Sequence, residues 1–362
     1  MDTSDPDVAF DVLGVCNHCL RYQELVDERV IPAAERRMRL DELVADVKCA
    51  GGGKRYDCVI GVSGGVDSTY VAWLVKELGL RPLAVHLDNG WNSELAVANI
   101  EKTLKTLDID LYTHVIDWEE FRDLQVSFLE ASTPDGEVPT DHAIFALLFQ
   151  TAVKHGLRHV LTGVNVASEG VLPKKWGYGY FDWRYIADVH RRFGTSKLTT
   201  YPHFNLLGLF AFMFLRRIRL VPILNYVAYD KKAAMELLQT KLGWEYYGGK
   251  HYESIYTRFF QAYVLPRKFN IDKRKAHYSS LICSGQMTRE QALGLLKEPV
   301  YPEHLLQQDL EYSLKKLRLS AAQFDDVLRL PRRSFLDYLN SDAIFEMAKK
   351  VIRRRSKRGY LG

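Results

Sequence analysis

An α/β fold with a doubly wound parallel sheet is the architecture this sequence predicts, and three observations predict it. From residue 56 onward, short apolar runs alternate with segments of helical period. The runs are continuously hydrophobic, as strands covered on both faces are. The first of them ends in glycines and passes at once into a helical pattern, which is the layout of a strand, a ligand loop and a helix.

The elements follow in order. Residues 1–25 form a small module around Cys16-Asn17-His18-Cys19, and residues 26–50 a charged helical connector. Gly51-Gly52-Gly53-Lys54 is a turn or link. Tyr56 to Val62 is the first strand, with a helix containing Val71, Leu74 and Val75 behind it. Leu83–Leu87, Leu111–Ile116 and His159–Gly163 are the next three strands, and Ile218–Leu224 a fifth. Helices are expected over 93–107, 118–130, 141–155 and 231–242. Beyond 245 the strand signal fades. Thr288/Gln291 and Ser320/Gln323 have the capping-box spacing, so this third is helical. The domains expected are an N-terminal Cys-x-x-Cys module with connector at 1–50, a nucleotide domain at 51–245 and a helical C-terminal region at 246–362.

Composition excludes several classes. The 362 residues are 47% hydrophobic and 26% charged, which argues against disorder. A net charge of +4 suits an enzyme handling phosphates and is too small to argue for a nucleic-acid partner. The five cysteines are sparse and odd in number, favouring a reducing compartment. The opening Met1-Asp2-Thr3-Ser4-Asp5 is unlike a secretory leader, so a cytoplasmic location is expected. The most apolar stretch, Phe204–Leu215, is shorter than the ~20 residues a bilayer requires. It reads as a buried helix, with no membrane partner. The basic tail Arg353-Arg354-Arg355-Ser356-Lys357-Arg358 reads as a solvated helix end before a binding patch.

The loop Ser63-Gly64-Gly65-Val66-Asp67-Ser68 carries the chemistry. Two glycines let backbone N–H groups approach an anion, and the following helix N-terminus adds partial positive charge. Ser63 and Ser68 add hydroxyl donors. Asp67 repels phosphate, so it is expected to cap the helix or organise a metal. The Gly-Lys-Ser/Thr ending of a P-loop kinase is absent. The second strand ends at Asp88-Asn89-Gly90, where either ligand contact or a plain turn fits.

Ser-Gly-Gly-x-Asp-Ser after a first strand resembles the PP-loop ATP pyrophosphatases. Longer stretches resemble one branch, the N-acetyl sugar amidotransferases of surface-polysaccharide and lipopolysaccharide (O-antigen) biosynthesis. They are Met1–Pro6 with Gly14–Cys19, His86–Asn92, Thr162–Asn165, Gly248–Ser254 and Lys268–Arg274. The resemblance implies that ATP adenylates the acetamido oxygen of a nucleotide-linked sugar. Ammonia then displaces AMP, leaving an acetamidino group. ATP and Mg²⁺ are the implied cofactors.

The resemblance also implies where the roles fall. Ser63, Gly64, Gly65, Asp67 and Ser68 cradle phosphate, with Asp88, Asn89, Gly163 and Asn165 beside the nucleotide. Glu169 holds Mg²⁺, unless Asn165 or Ser168 merely caps a helix. Lys250, Arg258, Lys268, Lys273 and Arg274 supply cations, among Tyr252, Tyr256, Phe259, Phe260 and Tyr263. Asp141 and His142 are further candidates, with Thr140 as a helix cap, and His251 is as well a structural residue as a catalytic one. The family pairs Cys16/Cys19 with an earlier Cys-x-x-Cys to bind Zn²⁺. That pair is absent here, so weak zinc or none is expected, with Zn²⁺ possible in a fuller-length form. No glutaminase motif surrounds Cys49, Cys58 or Cys283, so ammonia is expected from a separate glutaminase subunit. The rival is a tRNA sulfurtransferase using Cys16, Cys19 and Cys283; a nucleotide-binding module without chemistry is the third reading.

Overall fold

The computed structural model describes residues 1–249 and 252–356. Five strands form one sheet: β1 (Cys58–Gly61), β2 (Pro82–Asp88), β3 (Asp110–Val115), β4 (His159–Thr162) and β5 (Arg219–Pro222). Their order is β3-β2-β1-β4-β5 and every pairing is parallel. The chain winds outward from β1 through β2 to β3, then returns to the other side for β4 and β5. The winding therefore reverses between β1 and β4, and ligands of open α/β sheets bind at such a point, beyond the strands' C-terminal ends.

Alternate strand residues build two cores, as the two-residue period of a strand requires. Val59, Val85, Leu87 and Val160 pack with Phe121, Leu124 and Phe149 from helices Trp118–Ala131 and Val138–Lys154. Cys58, Ile60, Ala84, Leu161 and Val221 pack with Val71, Val75, Ile100, Leu104 and Leu238 from helices Val66–Glu77, Glu94–Leu107 and Lys231–Leu242. Each such side chain withdrawn from water contributes ~1.5–3 kcal/mol. The parallel sheet covered on both faces is thus present as expected. β5 stops at Pro222, short of Leu224, because proline brings no N–H to extend a ladder.

Helix Asn17–Arg29 opens on Cys16 and packs on helices Val166–Glu169 and Lys273–Cys283. The C-terminal third is helical, and both expected capping boxes form. One expectation fails. The Phe204–Leu215 segment is not buried. Phe204 and Phe212 turn inward onto Phe149, while Leu207, Phe210, Met213, Phe214 and Leu215 face solvent. The segment enters the edge strand β5, so only one of its faces has a neighbour to pack against. Apolarity alone does not reveal that.

Candidate active site

The loop after β1 is built as the sequence implies. Gly64 has φ +79°, and a β-carbon there would sit 2.5 Å from the Ala96 carbonyl oxygen, so only glycine fits. Gly65 is the N-cap of helix Val66–Glu77. Ser63 Oγ and Ser68 Oγ lie 3.2 Å apart, and the Gly65 N–H donates to Ser63 Oγ at 3.3 Å. Trp244 Nε1 donates to the Gly64 carbonyl at 2.9 Å and holds the loop from outside. The Val66 N–H, one of the helix's first donors, points to the Tyr247 hydroxyl at 3.3 Å. Donors of this kind favour an anion. A cavity of about 180 Å³ opens beside them, lined by Ser63, Gly65, Asp67, Ser68, Gly163, Glu169, Lys231, Tyr247 and Glu253.

Asp67 does not cap its helix, since the N-cap makes no side-chain bond. Its carboxylate instead accepts from the Tyr229 hydroxyl, whose phenol is pushed up by burial and by that charge. Gly163, at the end of β4, packs on the backbone of Asp67, where a β-carbon would come within 3.0 Å. Asn165 caps helix Val166–Glu169 by accepting from the Ser168 N–H at 2.8 Å. The cap aims Glu169 at the cavity. Glu253, singled out with Lys250 and His251 in the glycine-led segment of the sequence, lines the cavity, whereas Lys231 and Tyr247 are residues that sequence reasoning missed as site members. Lys231 follows β5 on the ligand end of the sheet, a position that could have singled it out.

A second cavity, of about 660 Å³, lies between β2 and helix Glu94–Leu107 and is lined by His86, Asp88, Asn92 and Glu101, among others. His86 bonds the Val62 carbonyl through Nδ1 at 2.9 Å and meets Asn92 Nδ2 through Nε2 at 3.1 Å. One acceptor and one donor fit the neutral Nδ1–H tautomer. The cavity thus abuts the phosphate loop. Asp88 accepts from the Gly90 N–H and borders this space; Asn89 is buried and accepts from the Trp91 N–H at 3.2 Å. Asn89 is therefore seen as a turn residue.

Three carboxylates gather where helix Val138–Lys154 begins. This helix opens at Val138, with Pro139 in its first turn, so Thr140 is not its cap. Glu137 accepts from Thr257 Oγ1 at 2.7 Å, and among the described residues its buried Oε1 has no partner. Burial raises Glu137 to about 7, against the Thr257 bond and with help from Asp135. Asp141 is held well above the usual carboxylate range by burial and by Asp135 and Glu137. Among the described residues Lys273 faces all three as a cation, and Glu253 and Glu169 connect the group to the smaller cavity. Tyr256 is almost fully buried nearby, its hydroxyl without a partner among the described residues.

Other candidates are committed elsewhere. His142 is a core residue: Nδ1 bonds the Tyr180 carbonyl, Nε2 accepts from the Phe204 N–H, and the ring stacks on Phe204. Burial drives it down to about 4. Lys268 is buried and donates to the carbonyls of Val327, Leu328 and Leu330, closing the C-terminus of helix Ala321–Arg329. Arg274 is forked on Asp272 and reaches the Leu295, Glu298 and Pro299 carbonyls. Phe259 and Phe260 are buried in the core, and Tyr263 stacks on Phe259. Lys250 and His251 lie outside the described residues, as do Lys357 and Arg358 of the tail.

Arg258 makes a two-pronged pair with Asp309, at 2.6 and 2.7 Å, and Tyr301 donates to the same carboxylate. Arg258→Ala would strand that buried charge. It is expected to cost ~3–5 kcal/mol of stability, read from urea melts. A loss under about 1 kcal/mol with activity gone would instead place Arg258 on substrate.

At the N-terminal module Cys16 Sγ and Cys19 Sγ are 3.4 Å apart, and Cys283, at the end of helix Lys273–Cys283, lies close enough to Cys19 to influence its thiol. Spacing along the chain could not bring in Cys283. His18 turns away to Asp5 at 2.5 Å. Among the described residues, no three or more His, Cys, Asp or Glu side chains come together as a metal site.

Residues 253–352 match the family model of the LPS biosynthesis protein WbpG-like, C-terminal domain. The match is to that one domain, and it supports the resemblance to the sugar amidotransferases. The uncharacterized protein MJ1599 of Methanocaldococcus jannaschii is 28% identical over 131 residues, which are 35% of this chain and 44% of that protein. The tRNA-specific 2-thiouridylase MnmA 2 of Fusobacterium nucleatum is 30% identical over 113 residues, 29% of this chain and 32% of that protein. The chain thus spans less than half the length of these curated relatives. Among solved structures it is similar to NMN synthetase from Francisella tularensis, at TM-score 0.38 and 16% identity, over 80% of this chain and 98% of that one. It is also similar to an NH3-dependent NAD synthetase from Campylobacter jejuni, at TM-score 0.30 and 16% identity, over 57% and 84%.

Proposed function

We propose that this chain is an AMP-forming amidotransferase that converts the acetamido group of a nucleotide-linked sugar into an acetamidino group. One observation carries the reading. A Ser-Gly-Gly-Val-Asp-Ser loop sits at the point where the sheet's winding reverses, and its cavity presents helix-terminal N–H donors, Lys231 and Glu169 together. The family match in lipopolysaccharide biosynthesis supports a sugar substrate.

The chemistry runs in two displacements. The amide oxygen attacks the α-phosphorus of ATP, the bond to the β-phosphate oxygen breaks, and pyrophosphate leaves. Ammonia then adds to the amide carbon, the bond to the AMP oxygen breaks, and AMP departs with the former amide oxygen. Adenylation is needed because an amide oxygen is a poor leaving group. The protein's part is positioning and charge neutralisation. The loop N–H groups, Ser63 and Ser68 hold phosphate oxygens, and Lys231 balances their charge. The adenosine end fits the larger cavity beside His86, Asp88 and Asn92. Asp67 and Glu169 border the smaller cavity and suit Mg²⁺, a hard cation that keeps phosphate oxygens and water among its ligands. When bound, the metal neutralises phosphate charge.

Ammonia comes from a separate glutaminase subunit in this reading. Cys58 is buried within β1, its thiol pushed up by burial, and Cys19 is pushed up to about 12. Neither suits a nucleophile, which must be a thiolate. The local likeness to a thiouridylase favours tRNA thiolation as the second reading.

ATP labelled at the α-phosphate is expected to yield labelled AMP in step with a sugar about one mass unit lighter, when ammonium and the nucleotide sugar are supplied. Labelled ADP, or turnover that needs tRNA and a sulfur donor, would overturn the proposal.

A further inference from the structure

The segment between the core helices and β5 carries a feature unrelated to the nucleotide site. Helix Leu206–Phe210 widens into a π turn over Ala211–Leu215. Its inner side is fixed, with Phe212 stacked on Phe149 at 5.3 Å and accepting at its carbonyl from the Ile218 N–H. Its outer side is a ridge of large apolar residues. Leu207 is 78% exposed, Phe210 53%, Met213 38%, Phe214 67% and Leu215 72%. Phe210 and Phe214 stack on each other at 4.8 Å, so the ridge is ordered by its own rings. Isolated exposed hydrophobes need no explanation, but a contiguous patch marks a contact surface.

The charge beside the ridge says what covers it. Arg216, Arg217 and Arg219 follow directly and are exposed. Arg219 pairs with Asp46; among the described residues neither Arg216 nor Arg217 meets a carboxylate within ion-pair distance. From Val189 to Tyr229 the sequence holds no Asp or Glu. The flank of the ridge is therefore predominantly basic. An apolar ridge joined to a run of exposed arginines matches acyl chains beneath anionic headgroups, the chemistry of an amphipathic helix lying in a membrane interface.

We propose that the Leu207–Arg219 segment seats this protein on the surface of an anionic phospholipid bilayer. The ten residues of Leu206–Leu215 rise only ~15 Å at 1.5 Å per residue, against a hydrocarbon core of ~30 Å. The segment therefore lies in the interface, and no helix among the described residues is long and apolar enough to cross. It leads into the N-terminal end of β5, whereas the Ser63 loop leaves the C-terminal end of the parallel strand β1. The seated molecule thus keeps its nucleotide cleft turned away from the lipid. The inference does not depend on the proposed reaction.

The test is co-sedimentation of the full chain with vesicles of phosphatidylglycerol and phosphatidylcholine, against phosphatidylcholine alone, at low and high salt. Wild type is expected to bind the anionic vesicles at least tenfold more tightly, with the preference shrinking in high salt. Phe210→Ser with Phe214→Ser, and separately Arg216→Gln with Arg217→Gln, are each expected to lose tenfold or more. The arginine pair is solvent-exposed, so it remains informative if the phenylalanine pair fails to fold. Equal binding to both vesicle types, no binding to either, or wild-type binding by the arginine variant would overturn the proposal. So would light scattering that shows a dimer in wild type and a monomer in the phenylalanine variant, with no vesicle binding.

Discussion

Gly64→Ala is expected to reduce AMP formation by at least a hundredfold, about 2.7 kcal/mol at 1.36 kcal/mol per tenfold. Two independent effects converge at this position. The residue has φ +79°, in the left-handed region, which costs a side chain ~1–2 kcal/mol. The new β-carbon would also lie 2.5 Å from the carbonyl oxygen and 3.1 Å from the α-carbon of Ala96. Ala96 belongs to the first turn of helix Glu94–Leu107, where its own N–H is held by Ser93 Oγ. Neither side can yield without moving a capped helix or the loop. If the loop yields, the Trp244 bond to the Gly64 carbonyl breaks and the N–H donors lose their aim. Gly53→Ala is the control, with φ +73° and no atom within 4 Å of the added carbon. It carries the backbone strain without the clash, so it is expected to lose ~1 kcal/mol of stability and keep its activity. Pyrophosphate release and urea melts on both variants decide the matter. Activity of Gly64→Ala within tenfold of wild type would mean that the loop does not grip phosphate as built.

How much of this site is legible in the sequence depends on how local each cause is. The Ser63–Ser68 loop is legible because strand end, glycine pair and helix start are neighbours in the chain. The same holds for the capping boxes at Thr288 and Ser320, where two side chains three residues apart close on each other. The five strands are legible because strands buried on both faces must be continuously apolar. What fails is whatever depends on a distant neighbour. Arg258 and Lys268 look like free cations in a basic stretch, until Asp309 and the carbonyls of residues 327–330 arrive from other helices. Asp67 looks like a cap until Tyr229 reaches it. Phe204–Leu215 looks like core because apolarity reports affinity for a neighbour and not the presence of one. Glu137 escapes notice for the same reason: Asp135 and Asp141 are near it in the chain, but Thr257, Glu253 and Lys273, which complete its surroundings, arrive from the C-terminal region.

That cluster yields the second large effect. Glu137→Gln is expected to slow ammonium-dependent turnover and, at pH 8, to stabilise the protein. Ammonium must shed a proton before its nitrogen can attack, and a carboxylate raised to about 7 is matched to accept one near neutrality. The groups facing Glu137 are Asp135, Asp141, Glu253, Tyr256, Thr257 and Lys273, a set dominated by carboxylates that suits a cation. The rate should therefore climb as pH passes through about 7, and Gln should remove that limb while leaving the KM for ATP within about twofold. The sign for stability follows from the same shift. Folding raises Glu137 from 4.5 to about 7, so the folded state holds a proton that the unfolded chain releases. Below pH 4.5 both states are protonated and the site costs nothing. As pH rises to 7 wild type loses stability, up to ~3 kcal/mol at 1.36 kcal/mol per pKa unit. Gln is never charged and escapes that loss. The variant should thus unfold like wild type near pH 4.5 and at higher denaturant above pH 7. A residue kept at such a cost is expected at a working site rather than in a scaffold. A stability gap that stays constant between pH 4.5 and 8 would remove the buried, raised carboxyl from the argument. A rate limb that survives the substitution would move the base to Asp141 or Asp135.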